Sequence, residues 1–299
     1  MKKVISLVLV IVVIFALGAG ISVFADYDFL VPADGYYVHY ITQGTSASID
    51  LLVYPYYAGG YSTSNDATLT WTLVSGSTSG VTIDQNSITG VEIDVDSYWA
   101  YAKVNVSNTA APGAAAVMAT DGQGNYVTIV IVINPLYGPS DHVTGVTCYY
   151  YDARSSTESL KATVTGISAQ WNTHYSETHY VSALDATLHS YWNSSDIANL
   201  VINTDQSPSP YIVDSVRFDG ETETLKNGYS YYVSEGHQDN VTDYNMGWLY
   251  RVYRCNGTTY TMIPISEYLG PNQFALQNND IILWKFGDYS TVTFPTTLN

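Results

Sequence analysis

Short runs of β-branched and aromatic residues, each ended by glycine, proline, aspartate or asparagine, recur along most of the chain and restrict it to sheet-built folds. In the first half the clearest are Ser48 to Tyr54, Ala67 to Val74 with its clean alternation, and the β-branched stretch Tyr126 to Ile133. Turns at Ser75-Gly76, Pro112-Gly113 and Asp121-Gly122 separate them at the spacing of a β-sandwich. Prolines and a glycine within Asn134 to Ser140 then mark a domain boundary. Beyond it, strands over Cys148–Tyr151 and Leu160–Val164 are followed by a helix over Ser182–Trp192. Ser182 stands at the N-cap, Asp185 three residues later, and Ala183, Leu184, Ala186, Thr187, Leu188 and Tyr191 include an apolar stripe of helical period. Strands resume over Tyr211–Phe218, Gly247–Tyr253 and Asp280–Phe286. Strands, one helix, then strands predict an α+β unit with the helix laid on a sheet.

In chain order, Trp71-Thr72-Leu73, Gly80-Val81-Thr82-Ile83, Ala102 to Val106, Gly113 to Val117 and Ala119-Thr120-Asp121-Gly122 resemble a bacterial immunoglobulin-like domain. The second half, from about Val143 to Phe286, resembles the C-terminal β-grasp-like domain of the transcobalamin and intrinsic factor family, a domain also found in bacterial surface proteins. The matching segments are Ala183 to Ala186, Tyr211 to Val216, Gly247 to Val252, Ile265 to Leu269, Phe274 to Leu276 and Asp280 to Trp284. Two positions depart from the pattern. Tyr253-Arg254-Cys255 intervenes before Asn256-Gly257, and Asn279 stands where glycine is common, although asparagine also adopts left-handed geometry. The resemblances imply a mainly β chain with an α+β part. Residues 1–25 are a leader, 26–136 an immunoglobulin-like sandwich, 137–142 a linker, 143–287 the β-grasp-like domain and 288–299 a C-terminal extension. In the vertebrate carriers the domain is one half of a corrinoid clamp whose other half is a helical barrel. Residues 26–142 supply no such barrel, which disfavours cobalamin as a cofactor.

Lys2 and Lys3 followed by an uncharged apolar run from Val4 to Val23, with Val23-Phe24-Ala25 before Asp26, read as an export signal and its cleavage site. Left uncleaved, the same run approaches the roughly 20 residues that span a bilayer. Loss of Lys2 and Lys3 moves the formal charge from −17 to −19, a field that excludes nucleic acid and anionic lipid as partners. Tyrosine is the compositional outlier, with 28 residues, and its ring packs while its hydroxyl stays wet. Cys148 and Cys255 are the two cysteines, and in an exported chain they are candidates for one disulfide, which in the entropic view contributes on the order of 4 kcal/mol. Two buried free thiols are the alternative.

Catalytic patterns are sparse. His174, His179 and His189 match no metal-ligand helix face, and no His-Glu-x-x-His or Gly-x-Ser-x-Gly occurs. Glu221 and Glu223 adjoin Asp219-Gly220 as a hairpin tip would, rather than opposing each other across a cleft. Calcium suits the loops better than catalysis does, through Asp84-Gln85-Asn86, Asp94-Val95-Asp96 and Asp239 to Asp243, none in EF-hand register, with incidental surface acids as the alternative reading. No catalytic residue and no resident cofactor are expected.

Two non-enzymatic functions follow. In the first, the chain is a cell-surface binding or adhesion protein: Trp248 and Tyr250, like Trp284 and Phe286, alternate so that each pair shares one face of a strand, with Tyr232 and Tyr244 beside them. Such a face suits sugars, planar ligands or a partner protein, unless it is the core of its own domain. In the second, the chain is a structural subunit of a self-assembling extracellular filament or surface layer. There Thr291, Val292, Thr293 and Phe294, in an alternating tail, complete a neighbour's sheet or fold back on their own. The expected partners are other copies of the chain or cell-surface proteins and glycans, with no stable membrane insertion once the leader is removed.

Overall fold

A computed structural model describes residues 29–32, 36–57, 60–61, 70–84, 91–94, 97–120, 126–136, 142–172, 178–203, 212–228 and 245–298 of the 299-residue chain. The expected leader lies outside them. The chain is mainly β, and it separates into two compact units between Gly138 and Pro139.

The first unit is a sandwich of two sheets. Its strands are β1 (Phe29–Pro32), β2 (Val38–Thr42), β3 (Ala47–Tyr57), β4 (Gly60–Tyr61), β5 (Thr70–Leu73), β6 (Val81–Asp84), β7 (Val91–Asp94), β8 (Ser97–Val106), β9 (Gly113–Thr120) and β10 (Tyr126–Asn134). One sheet runs β1-β3-β8-β6, with β4 on β3 and β7 on β8, and the other runs β2-β10-β9-β5. All pairings are antiparallel except β2 with β10. Period-two alternation builds the core: Leu51 and Val53 of β3 and Ala102, Val104 and Val106 of β8 meet Ala115, Val117 and Ala119 of β9 and Ile129, Ile131 and Ile133 of β10 around Trp71. Residues of opposite parity face water, where Lys103 lies across from Asp50 at 3.7 Å. Gly80 is required at its turn: φ is +86°, and a β-carbon there would sit 2.6 Å from the Ala110 backbone.

The second unit holds β11 (Val143–Asp152), β12 (Ser159–Ala169), helix α1 (Ala183–Asn193), β13 (Ile197–Asn203), β14 (Ile212–Phe218), β15 (Leu225–Lys226), β16 (Met246–Asn256), β17 (Thr259–Met262), a 3-10 turn (Pro264–Glu267), β18 (Ile281–Asp288) and β19 (Thr297–Leu298). The main sheet runs β12-β11-β18-β16-β17-β19, with β11 parallel to β18, and a smaller antiparallel sheet runs β13-β14-β15.

The helix starts where its capping chemistry dictates. Ser182 accepts from the Asp185 amide through its hydroxyl, and the Asp185 carboxylate accepts from the Ser182 amide at 2.7 Å. The same carboxylate accepts from the Asn172 amide at 2.9 Å, tying the preceding loop to the helix. Burial pushes the Asp185 carboxyl up to about 6, against the lowering effect of these bonds. Asn279 adopts the left-handed conformation (φ 63°) that turns the chain into β18.

Candidate functional site

Strand register sorts the side chains of the main sheet into two sets. Across β11, β18 and β16, one face carries the rows Cys148–Ile282–Val252 and Tyr150–Trp284–Tyr250, continued by Phe286 and Trp248. The other carries Tyr149–Leu283–Arg251 and Tyr151–Lys285–Leu249, with Ile281 beside Tyr253. Successive residues of a strand point to opposite faces, so both sets follow from the pairing alone.

The first face is the core of the unit. Helix α1 lies against β11, and β14 and β15 pack against β16. Trp248 donates to the Leu225 carbonyl at 3.0 Å, Tyr250 to the Leu269 carbonyl at 2.8 Å, and Trp284 to the Thr187 hydroxyl at 3.0 Å. Each aromatic polar atom is thereby satisfied inside, and Trp284 is 1% exposed. Trp248, Tyr250 and Trp284 therefore offer no ligand surface: their shared parity serves packing, because the helix and the smaller sheet cover it. Tyr232 and Tyr244 lie outside the described residues.

Cys148 belongs to this face and Cys255 does not reach it. Both are free thiols, Cys148 wholly buried and Cys255 exposed, so the expected disulfide is absent. Strand β18 lies between β11 and β16, which puts two strand spacings of about 4.8 Å between the cysteine-bearing strands, beyond the roughly 6.8 Å that a bridge spans between α-carbons. Burial pushes the Cys148 thiol up to about 12, which leaves it inert.

The C-terminal tail covers part of the second face. Phe294 lies under the Arg251 guanidinium, 4.8 Å from its ring centroid, and near the Lys285 ammonium at 5.3 Å. Lys285 donates to the Thr293 carbonyl at 2.8 Å and Tyr253 to the Pro295 carbonyl at 2.7 Å. Val292 sits against Gly287, where no β-carbon fits. Leu298 then pairs with Tyr260 through β19. Thr291, Val292, Thr293 and Phe294 thus belong to their own domain: the alternation that suits a donated strand here seats Val292 and Phe294 inward and leaves Thr291 and Thr293 outward. The sequence boundary at 287 cuts through a packed element.

Between the tail and β11 an open recess of about 330 Å³ remains. Its floor is Ile281 and Leu283, and Pro295 and Leu298 of the tail form one wall. Tyr149 and Tyr151, both half-buried, form the other with Glu158. Lys285, 4% exposed, sits at its base and donates to Glu158 at 2.5 Å. Among the described residues neither tyrosine hydroxyl is hydrogen-bonded. Burial raises the Tyr151 hydroxyl above its ordinary value, helped by Tyr149 and Glu158.

The sequence carried two signals for this recess. Three consecutive tyrosines in one strand must serve both faces, and a lone lysine within the apolar run of β18 needs a buried partner.

Two partly exposed ion-pair groups lie elsewhere on the unit. Arg154 joins Asp152 and Glu223, and Lys161 joins Glu221, which places both glutamates beside the turn after β14. His189 meets Trp192 edge to face, and burial with nearby His142 lowers its titration; His174 lies outside the described residues. No metal-binding group of three or more His, Cys, Asp or Glu occurs among the described residues; of the calcium candidates, Asp84 and Asp94 end β6 and β7, while 85–86, 95–96 and 239–243 lie outside the described residues. No protein-family model matches the chain, and no curated protein matches its sequence.

Proposed function

We propose that the chain is an exported, non-catalytic binding protein of the cell surface, in which an immunoglobulin-like sandwich carries a β-grasp-like unit that makes the contact. The observation that carries this reading is the open recess over the second face. Among the described residues its charged groups are Glu158 and Lys285, bonded to each other, while two tyrosine rings, with hydroxyls that no described residue bonds, remain available. Aromatic surface with a few polar atoms binds, whereas charges already spent on one another leave no free acid or base. The leader and the acidic charge of −17 fit work outside the cytoplasm.

Purified exported chain added to washed cells of its source should bind saturably and be displaced by unlabelled chain. Binding that rises linearly without saturation would overturn the reading.

Self-assembly through the tail is the competing proposal. It requires residues 289–298 to leave the contacts made by Phe294 and Pro295 and occupy a second copy. A sedimentation coefficient that climbs with concentration, and returns to the monomer value when those residues are deleted, would support it.

A further inference from the structure

We propose that the recess between the Tyr149–Tyr151 wall and the C-terminal tail binds a neutral carbohydrate. This rests on the binding reading above and names its ligand class.

The lining selects by charge first. The Glu158 carboxylate and Lys285 ammonium are paired within the recess, so it offers no net charge to an ion. An entering cation meets the ammonium, and an entering anion meets the carboxylate and the field of a chain at −17. A neutral ligand remains.

Polarity selects next. Ile281, Leu283 and Pro295 offer apolar contact, which excludes a ligand hydrated on every side. A wholly apolar ligand would bury the tyrosine hydroxyls without partners, at about 1–3 kcal/mol each. A sugar ring satisfies both requirements. Its C–H face packs on tyrosine, and its rim hydroxyls bond to the phenols and to the Glu158 oxygen that accepts nothing among the described residues. At about 330 Å³ the space sits at the small end of ligand sites, which run from about 300 Å³ upward.

The tail completes the site. Pro295 and Leu298 form its second wall, and they are held there by Phe294 between Arg251 and Lys285 and by the bond from Tyr253. Phe294 touches no ligand in this scheme and acts by positioning that wall.

The test applies the full exported chain to an array of immobilised neutral oligosaccharides of glucose, mannose, galactose and N-acetylhexosamine. Sialylated and sulfated oligosaccharides are included as charged comparators, and free choline is offered as a cation. The expected result is selective binding to one or more neutral oligosaccharides. Tyr149→Ala and Tyr151→Ala should each weaken it by about tenfold or more, and Phe294→Ala by less. Trp192→Ala, at an exposed aromatic elsewhere on the unit, should leave it unchanged. The double variant Tyr149→Phe/Tyr151→Phe keeps both rings and the packing, and should lose about three- to tenfold through the hydroxyls alone, so the test stands even where an alanine variant fails to fold. Preference for the charged sugars or for choline, or binding to none, overturns the assignment, as does neutral-sugar binding that survives every tyrosine variant. If the chain still binds washed cells saturably while every neutral sugar fails, the carbohydrate assignment falls and the surface-binding reading stands. If neither is bound, both fall.

Discussion

The two faces of the β11–β18–β16 sheet start from similar materials and end in different roles. Tyr150, Trp284, Tyr250 and Trp248 on one face are matched by Tyr149, Tyr151 and Tyr253 on the other. On the first, a helix, a second sheet and the segment after the 3-10 turn supply carbonyl and hydroxyl partners for the aromatic polar atoms, and the residues become core. On the second, cover comes from a ten-residue tail (289–298) that reaches Phe294 and Leu298 but leaves the Tyr149–Tyr151 edge open. An aromatic row is therefore a core or a site according to what lies over it, not according to its own residues.

Substitution on the two faces should expose this difference, with the largest effect on the covered one. Trp284→Ala removes a wholly buried ring and its bond to the Thr187 hydroxyl, which keeps its own bond to the Ala183 carbonyl, and should destabilise the unit by about 3–5 kcal/mol in denaturant titration. Phe294→Ala should remove about 2 kcal/mol by loss of burial and of two cation contacts. In hydrogen exchange it should deprotect the amides that the tail holds, such as that of Met262 in β17, which donates to the Thr296 carbonyl, while leaving helix α1 unchanged. Equal deprotection of helix and tail would mean that the two covers are not independent.

A smaller effect separates the faces by pH. The Asp185 carboxyl, raised by burial from 3.8 to about 6, binds its proton more tightly folded than unfolded. Its contribution to stability is complete below 3.8 and is lost as pH rises through about 6. Asp185→Asn should remove that part of the slope, so the stability difference between parent and variant should change between pH 4 and pH 7, and a constant difference would contradict the raised value. The smallest perturbation is chemical labelling. Without reductant, a maleimide should modify Cys255 in the native chain and Cys148 only after unfolding, whereas no labelling of the unfolded chain would indicate a disulfide.

What was legible in the sequence is what local chemistry decides. Ser182 and Asp185 fix the helix start through bonds spanning three residues, Asn279 meets its own φ requirement, and the strands read over Ser48 to Tyr54 and Tyr126 to Ile133 fall within β3 and β10. The face shared by Trp248 and Tyr250 was equally readable. Its cover was not, because α1 and β15 are brought over it by pairings distant in sequence, such as Trp284 with Thr187. The tail failed to read for the same reason: a strand donated to a neighbour and one folded onto its own sheet share the same alternation, and the cations that hold Phe294 lie far from it along the chain, Arg251 above all. Cys148 and Cys255 show the limit from another side, since an even cysteine count carries no information about a strand lying between them.

The claim that the tail-bordered face is the working surface is tested most directly by saturable binding to washed cells, comparing the parent chain with Tyr149→Ala/Tyr151→Ala and with Trp192→Ala. The double variant should lose about tenfold or more in affinity with its far-ultraviolet circular dichroism retained, and Trp192→Ala should bind as the parent does. Parental affinity in the folded double variant would contradict it.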